Sequence, residues 1–298
     1  MDRLLLIEPF RAVFYAPYYV ALDRGCFAAR GIEIVLETAG NPDAAAGRLF
    51  DGSADLAWSG PMRPMLECSR DPACTLRSFG AAVMRDPFLL LGMGARPDFV
   101  LADLATLRVA VPSEVPTPWW CLQHDLRLAG LDPAAMAGMV RMPMAEGAAA
   151  LRTGAVDAVM LFEPHAAALE EAGASVWYAA ATRGPTAYSA LYAVTPRIDA
   201  KRASIEAVVR GLGDALAWMR GAETDAIVAT LAPRFTDVAP HHLARAVARY
   251  RALGLWSDNT HLPREAVDWL AAAMISSGAM THHPGYEACI EASLDLTD

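Results

Sequence analysis

The residues of this chain whose types and spacing suit chemistry sit where apolar, strand-like runs give way to helix starts. Four such junctions are readable. Phe14 and Tyr15 precede a helix that Pro17 opens; Trp58 and Ser59 end an apolar run just before Gly60 and Pro61; Ser113, Thr117 and Trp119 surround a proline-rich helix start; Phe162 and Glu163 stand before Pro164 and His165. Tyr188 opens a later extended run. In open α/β sheets, ligands bind at the carboxyl ends of strands, where helix N-termini offer unpaired N–H groups. Together these positions predict a cleft walled by aromatic rings with few charges, suited to stacking on a planar or apolar ligand. Ser59, Ser113 and Thr117 would supply hydroxyls, with Thr117 also a candidate N-cap before Pro118. Glu163, a carboxylate at a helix mouth, would accept hydrogen bonds from an amine and repel a sulfonate.

Other chemistries lack their residues. Lys201 is the one lysine, placed in a polar helix start, so a Schiff base or pyridoxal anchor is not expected. Five cysteines without a CxxC spacing indicate neither a disulfide framework nor structural zinc. The pairs His241-His242 and His282-His283 are adjacent, and helical neighbours diverge, so no metal site is expected. No nucleotide-binding, phosphate-loop, zinc-protease or nucleophile-elbow motif occurs in a useful context, and no cofactor is expected. A net charge of −9 without clustered Lys or Arg argues against nucleic acid.

The elements that must position these residues follow from periodicity. With 298 residues, 54% hydrophobic and 20% charged, the chain has the material for two medium lobes. Strand-like runs at 4–8, 32–37 and 55–58 alternate with helices at 17–29 and 42–51, the rhythm of a largely parallel sheet. A second set follows: strands at 108–111, near 140 and at 156–161, with helices at 118–129, 146–152 and 164–172. Two extended segments, 88–93 and 187–194, flank it and are expected to pair as a hinge. From residue 199 onward the pattern is helical, at 205–219, 224–231, 240–253 and 263–277.

The run from Phe14 to Leu36, FYAPYYVALDRGCFAARGIEIVL, closely resembles the opening helix and second strand of the NMT1/THI5-like family of solute-binding proteins, which includes alkanesulfonate, taurine, nitrate and pyrimidine-precursor binders. DGSADLA at 51–57, Arg85-Asp86-Pro87, LRTGAVDA at 151–158 and Phe162-Glu163-Pro164 follow in the matching order, so the resemblance covers about the whole chain. It implies an α/β chain of the type II periplasmic-binding-protein fold: two α/β lobes joined by a two-strand hinge, with a helical C-terminal tail packed on lobe 1. Lobe 1 would hold residues 1–93 and 190–298, and lobe 2 residues 94–189. The resemblance also implies a small-molecule ligand, an ABC permease as partner, a monomer, and binding rather than catalysis. In the pyrimidine-binding branch a Glu near position 163 contacts the ligand's amino group, which favours a nitrogenous aromatic; a sulfonate or nitrate is the alternative. An unexported enzyme or ligand sensor of the same fold is the other reading. The pyrimidine-synthase branch needs a His and a Lys in the helix after the third strand and a Cys-rich run for iron, where residues 61–68 of this chain hold no His, no Lys and no clustered Cys, and the desulfinase branch places its nucleophilic Cys where this chain has Phe14-Tyr15. The N-terminus lacks the apolar run and cleavage site of a secretory leader. The chain as it stands is therefore expected to be unexported, and a periplasmic placement would require a trimmed leader.

Overall fold

The apolar run after Asp2 forms the middle of a sheet because its side chains are covered on both faces, the condition under which parallel strands read as continuous hydrophobic stretches. The computed structural model describes residues 1–136 and 138–296; of the expected lobe ranges, residues 137, 297 and 298 lie outside the described residues. Strand β1 (Asp2–Glu8) pairs in parallel with β2 (Ile32–Thr38) and β3 (Leu56–Ser59). Between them run α1 (Ala16–Asp23), α2 (Cys26–Ala29) and α3 (Pro42–Phe50). A single helix at 17–29 is not what forms: Gly25 adopts φ +70°, a left-handed conformation that breaks it into α1 and α2. At the start of α3, Pro42 lies in the first turn and the Asn41 side chain accepts from the Ala44 N–H at 2.9 Å.

After α4 (Met62–Arg70) comes β4 (Leu76–Val83), and the chain then crosses to a second sheet. There β5 (Leu89–Met93) lies antiparallel to β8 (Ala158–Leu161) and β9 (Ala174–Ala179), while β6 (Val109–Pro112) runs parallel to β7 (Met139–Met142) and β8. Helices α5 (Thr117–Leu128), α6 (Met144–Thr153) and α7 (His165–Glu171) accompany these strands. β10 (Ser189–Val194) returns to the first sheet and inserts antiparallel between β3 and β4. The sheet orders are β2-β1-β3-β10-β4 and β7-β6-β8-β5-β9, the same pattern twice.

The two extended segments expected to pair therefore part company, because β5 belongs to the second sheet and β10 to the first. The strips that lie side by side are the crossings themselves. Thr186 N–H donates to the Met84 carbonyl at 2.9 Å, Tyr188 N–H to Val83 at 3.0 Å and Ala180 N–H to Phe88 at 2.9 Å. The expected lobe boundary after residue 93 thus falls at the far end of a strand that the second sheet already holds. A buried charge cluster ties the crossings down: Arg183 donates to Asp86 at 2.6 Å and to both oxygens of Asp125 on α5. Burial pushes the Asp86 carboxyl above its ordinary range, although Arg183 opposes this.

The C-terminal part comprises α8 (Thr195–Ala200), α9 (Arg202–Gly221), α10 (Thr224–Leu231), α11 (Pro240–Ala252), α12 (Arg264–Ser276) and α13 (Tyr286–Cys289). α9 packs on α1 and α2, and Gly211 permits the approach: a Cβ there would lie 2.8 Å from the Phe27 ring. The tail packs on the elements of the first sheet, as expected, and two of its helices also reach the second. α11 meets α7 and α12 meets α5, because Arg249 and Arg245 of α11 pair with Glu170 of α7 and the Trp269 ring of α12 packs edge-on to His124 of α5.

Candidate functional site

Between the two sheets lies a cleft of about 140 Å³, and the expected junctions frame it. On the first-sheet side, the chain leaving β1 presents Phe10, Phe14 and Tyr15, and the chain leaving β3 presents Ser59, Gly60, Met62 and Arg63. On the second-sheet side, the link from β6 to α5 contributes residues 114–117, and the crossings contribute Phe88 and Tyr188. Gly60 has a local reason: a Cβ there would sit 3.3 Å from the Tyr188 carbonyl and 3.1 Å from the Met62 side chain, so a larger residue would press on the crossing. A wider cavity of about 410 Å³ shares Phe10, Asn41, Pro42, Glu114 and Val115 with the cleft and adds Met144, forming its outer mouth.

The aromatic wall is continuous. Phe14 and Tyr15 have ring centroids 4.3 Å apart, and Phe14 meets Tyr188 edge-on at 6.2 Å. Burial pushes the Tyr15 and Tyr188 phenols well above their ordinary values, so both act as neutral hydroxyls. The charges are few. Arg63, in the first turn of α4, is mostly covered; it pairs with the exposed Asp43 and, at 3.2 Å, with Glu67, while its Nε is buried without a hydrogen-bond partner. Glu114 stands at the mouth and accepts from the Met144 N–H at 2.8 Å.

Of the residues singled out in the sequence, the structure brings Phe14, Tyr15, Ser59, Thr117 and Tyr188 to the cleft. Thr117 is the first helical residue of α5, preceded by Pro116, so its side chain is not the expected cap. Phe162 lies one layer behind, edge-on to Phe14 and to Phe88, each at 5.2 Å. Trp58 is fully buried and stacks on Tyr18 at 4.6 Å with an interplanar angle of 2°, so its ring faces α1 rather than the cleft. Trp119 is half-buried against the core, and Ser113 is exposed outside the lining, with its N–H donating to Met142. Glu163 corrects the sequence reading most. Its side chain is fully covered, pairs with Arg249 of α11, and accepts from the Ala167 N–H at 2.9 Å, so it caps its own helix. Burial raises its carboxyl above the ordinary range in spite of Arg249.

Sequence reasoning missed Phe10, Asp43, Met62, Arg63, Phe88, Glu114 and Val115. Most of these flank a junction that had been read, one turn or less away. Arg63 had a usable signal, as a basic residue two positions after the Pro61 that follows a strand end.

Two sheets of identical strand order, crossed twice by the chain and facing each other across a cleft at their strand ends, are the fold of the two-lobed periplasmic solute-binding proteins. The periplasmic aliphatic sulphonate binding protein SsuA from Escherichia coli superposes with a TM-score of 0.79 at 20% identity, covering all of both chains. The desulfurization enzyme DSZB superposes at 0.69 with 16% identity, over 99% of this chain and 97% of that one. Residues 95–232 match the model of the NMT1-like family, which bears out the resemblance read from the sequence. YtlA of Bacillus subtilis (strain 168), provisionally named a binding protein, is 20% identical over 293 residues, 97% of this chain and 88% of that protein. No helix among the described residues is long and apolar enough to cross a membrane.

Proposed function

We propose that this chain is a solute-binding protein for ABC-type import, holding a small ligand with an apolar or planar body and an anionic head of the sulfonate or carboxylate type. Its lobes, in this reading, are residues 1–83 with 189–296 and residues 89–179, each carrying one sheet. The ligand body packs on Phe10, Phe14, Phe88 and Tyr188, and the head meets Ser59, Thr117 and Arg63 at the N-termini of α4 and α5. The observation that carries the reading is Arg63: a mostly covered guanidinium whose partner on the cleft side, Asp43, has a side chain 77% exposed and is replaceable by a ligand anion. Among the described residues the cleft lining includes no Cys, His or Lys, which supports binding over turnover. The E. coli neighbour's sulphonate ligand class supports the choice of head. The partners in this reading are the ligand and a membrane permease, the protein acts as a monomer, and the site of action is the periplasm.

The nitrogenous aromatic favoured by the sequence loses Glu163 as its recognition residue, but Glu114 and Asp43 on the cleft lining keep a second reading specific: an amine held by those carboxylates. Thermal shift with alkane- and arenesulfonates, aromatic carboxylates and aminopyrimidines, on wild type, Arg63→Met and Glu114→Gln, separates the two. Sulfonates or carboxylates should stabilise wild type and lose most of that effect in Arg63→Met, where a charge-assisted bond of about 1.5–3 kcal/mol disappears. Stabilisation by aminopyrimidines alone, lost in Glu114→Gln, overturns the anionic head.

A further inference from the structure

The geometry points to a divalent transition-metal site of the zinc type formed by Glu171, His241 and His242, joining the end of α7 to the start of α11. Adjacent residues diverge on a regular helix, yet in the open first turn of α11 both imidazoles turn toward the same carboxylate, with ring centroids 4.3 Å apart. His241 Nε2 lies 2.5 Å from Glu171 Oε1, and His242 Nε2 lies 3.0 Å from Oε2. The three donor atoms fall within 4.8 Å of one another.

A plain hydrogen-bonded pair explains the His241 contact and not the His242 one. His242 Nε2 is buried, and despite its short distance to the carboxylate it lacks hydrogen-bond alignment and has no other partner. Two donors of one tetrahedral ion, each bonded at about 2.0–2.1 Å, stand roughly 3.3 Å apart with no hydrogen bond between them, which is close to what His242 and Glu171 show. Two imidazoles and one carboxylate are the donors that zinc, nickel and copper prefer. His241 and Glu171 are well exposed, leaving an open side for entry and for a water as fourth ligand. The ion would staple α7, which accompanies the second sheet, to the C-terminal helix that already pairs Arg249 with Glu163 and Glu170.

The test is calorimetric titration of the untagged, chelator-stripped full chain with zinc ion, together with thermal shift. One equivalent should bind with micromolar or tighter affinity and raise the unfolding temperature. His241→Ala and Glu171→Gln, each at an exposed position, should fold as wild type by near-UV circular dichroism and weaken binding at least tenfold. A His282→Ala/His283→Ala double variant should bind as wild type does. Absence of zinc binding overturns the site, as does undiminished affinity in His241→Ala or Glu171→Gln, or loss of binding in the double variant at the other histidine pair.

Discussion

Replacing Arg183 with Met tests whether the crossings are held by charge. The guanidinium is 4% exposed and donates to Asp86, which is fully covered, and to Asp125, which is nearly so. Its loss strands two carboxylates in the interior. Asp86 keeps the Phe88 N–H at 2.9 Å, and Asp125 keeps the Tyr178 hydroxyl at 3.2 Å, so neither is bare but both lose their counter-charge. Breaking a buried pair by removing one partner costs about 3–5 kcal/mol. At roughly 2–4 °C per kcal/mol for a chain of this class, the unfolding temperature should fall by about 6–20 °C. The pH dependence has a definite sign. Burial already raises the folded-state affinity of Asp86 for a proton, and without Arg183 it rises further, so the folded form binds more protons than the unfolded one. Stability of the variant should then fall as pH rises through the Asp86 range and recover on acidification, more steeply than in wild type. Scanning calorimetry at several pH values reads both effects, and adding Asp86→Asn and Asp125→Asn to Arg183→Met should restore at least half of the loss. A loss below about 1 kcal/mol, or a variant no more sensitive to pH than wild type, would refute the argument from uncompensated buried charge.

Trp58→Ala should cost about 3–5 kcal/mol of stability in urea unfolding, because it opens a hole beneath the Tyr18 stack; weaker ligand binding with stability intact would return Trp58 to the cleft. Glu163→Gln should lower stability by about 1–3 kcal/mol through the lost Arg249 pair and leave the response to every ligand in the panel unchanged; the reverse pattern would make Glu163 a ligand contact after all. Burial and neighbouring thiols protect the cysteines: the Cys289 side chain hydrogen-bonded beside it, with burial behind, pushes Cys68 up to about 12, and Cys121 and Cys289 are fully covered. Peptide mapping after iodoacetamide at about pH 8 should find these three unmodified until the chain unfolds, and labelling of any of them at a free-thiol rate would contradict the packing.

What could be read from the sequence was local. The strand and helix alternation, the Asn41-Pro42 helix start and the ring-bearing junction at Phe14-Tyr15 all follow from neighbours a few residues away. β4 escaped because Arg77, Ser78 and Gly80 interrupt its apolar pattern, and Gly80 there packs against Leu191 of β10, far along the chain. Trp58 was misplaced because a parallel strand is covered on both faces, so alternation does not say which side meets the cleft and which meets a helix. Glu163 was misread for a related reason: its partner Arg249 is 86 residues away, on a helix whose docking against α7 no periodicity announces. The same long-range packing carried α11 and α12 onto elements of the second sheet.

The insertion of β10 between β3 and β4 affects how the chain is made. All five strands of the second sheet lie within residues 89–179, so that sheet can close as soon as this stretch has left the ribosome. The first sheet begins earlier and ends later: β4 is complete at Val83, yet its neighbour arrives only with Ser189–Val194. At ribosomal rates of about 5–20 residues per second, the gap between β3 and β4 stays open for roughly 5–20 s. For that interval the nascent chain carries two apolar strands with unpaired edges facing each other, the arrangement that invites pairing with a foreign strand. The segment made in the middle can thus close its sheet before the segment made first completes its own, which waits for residues 189–194.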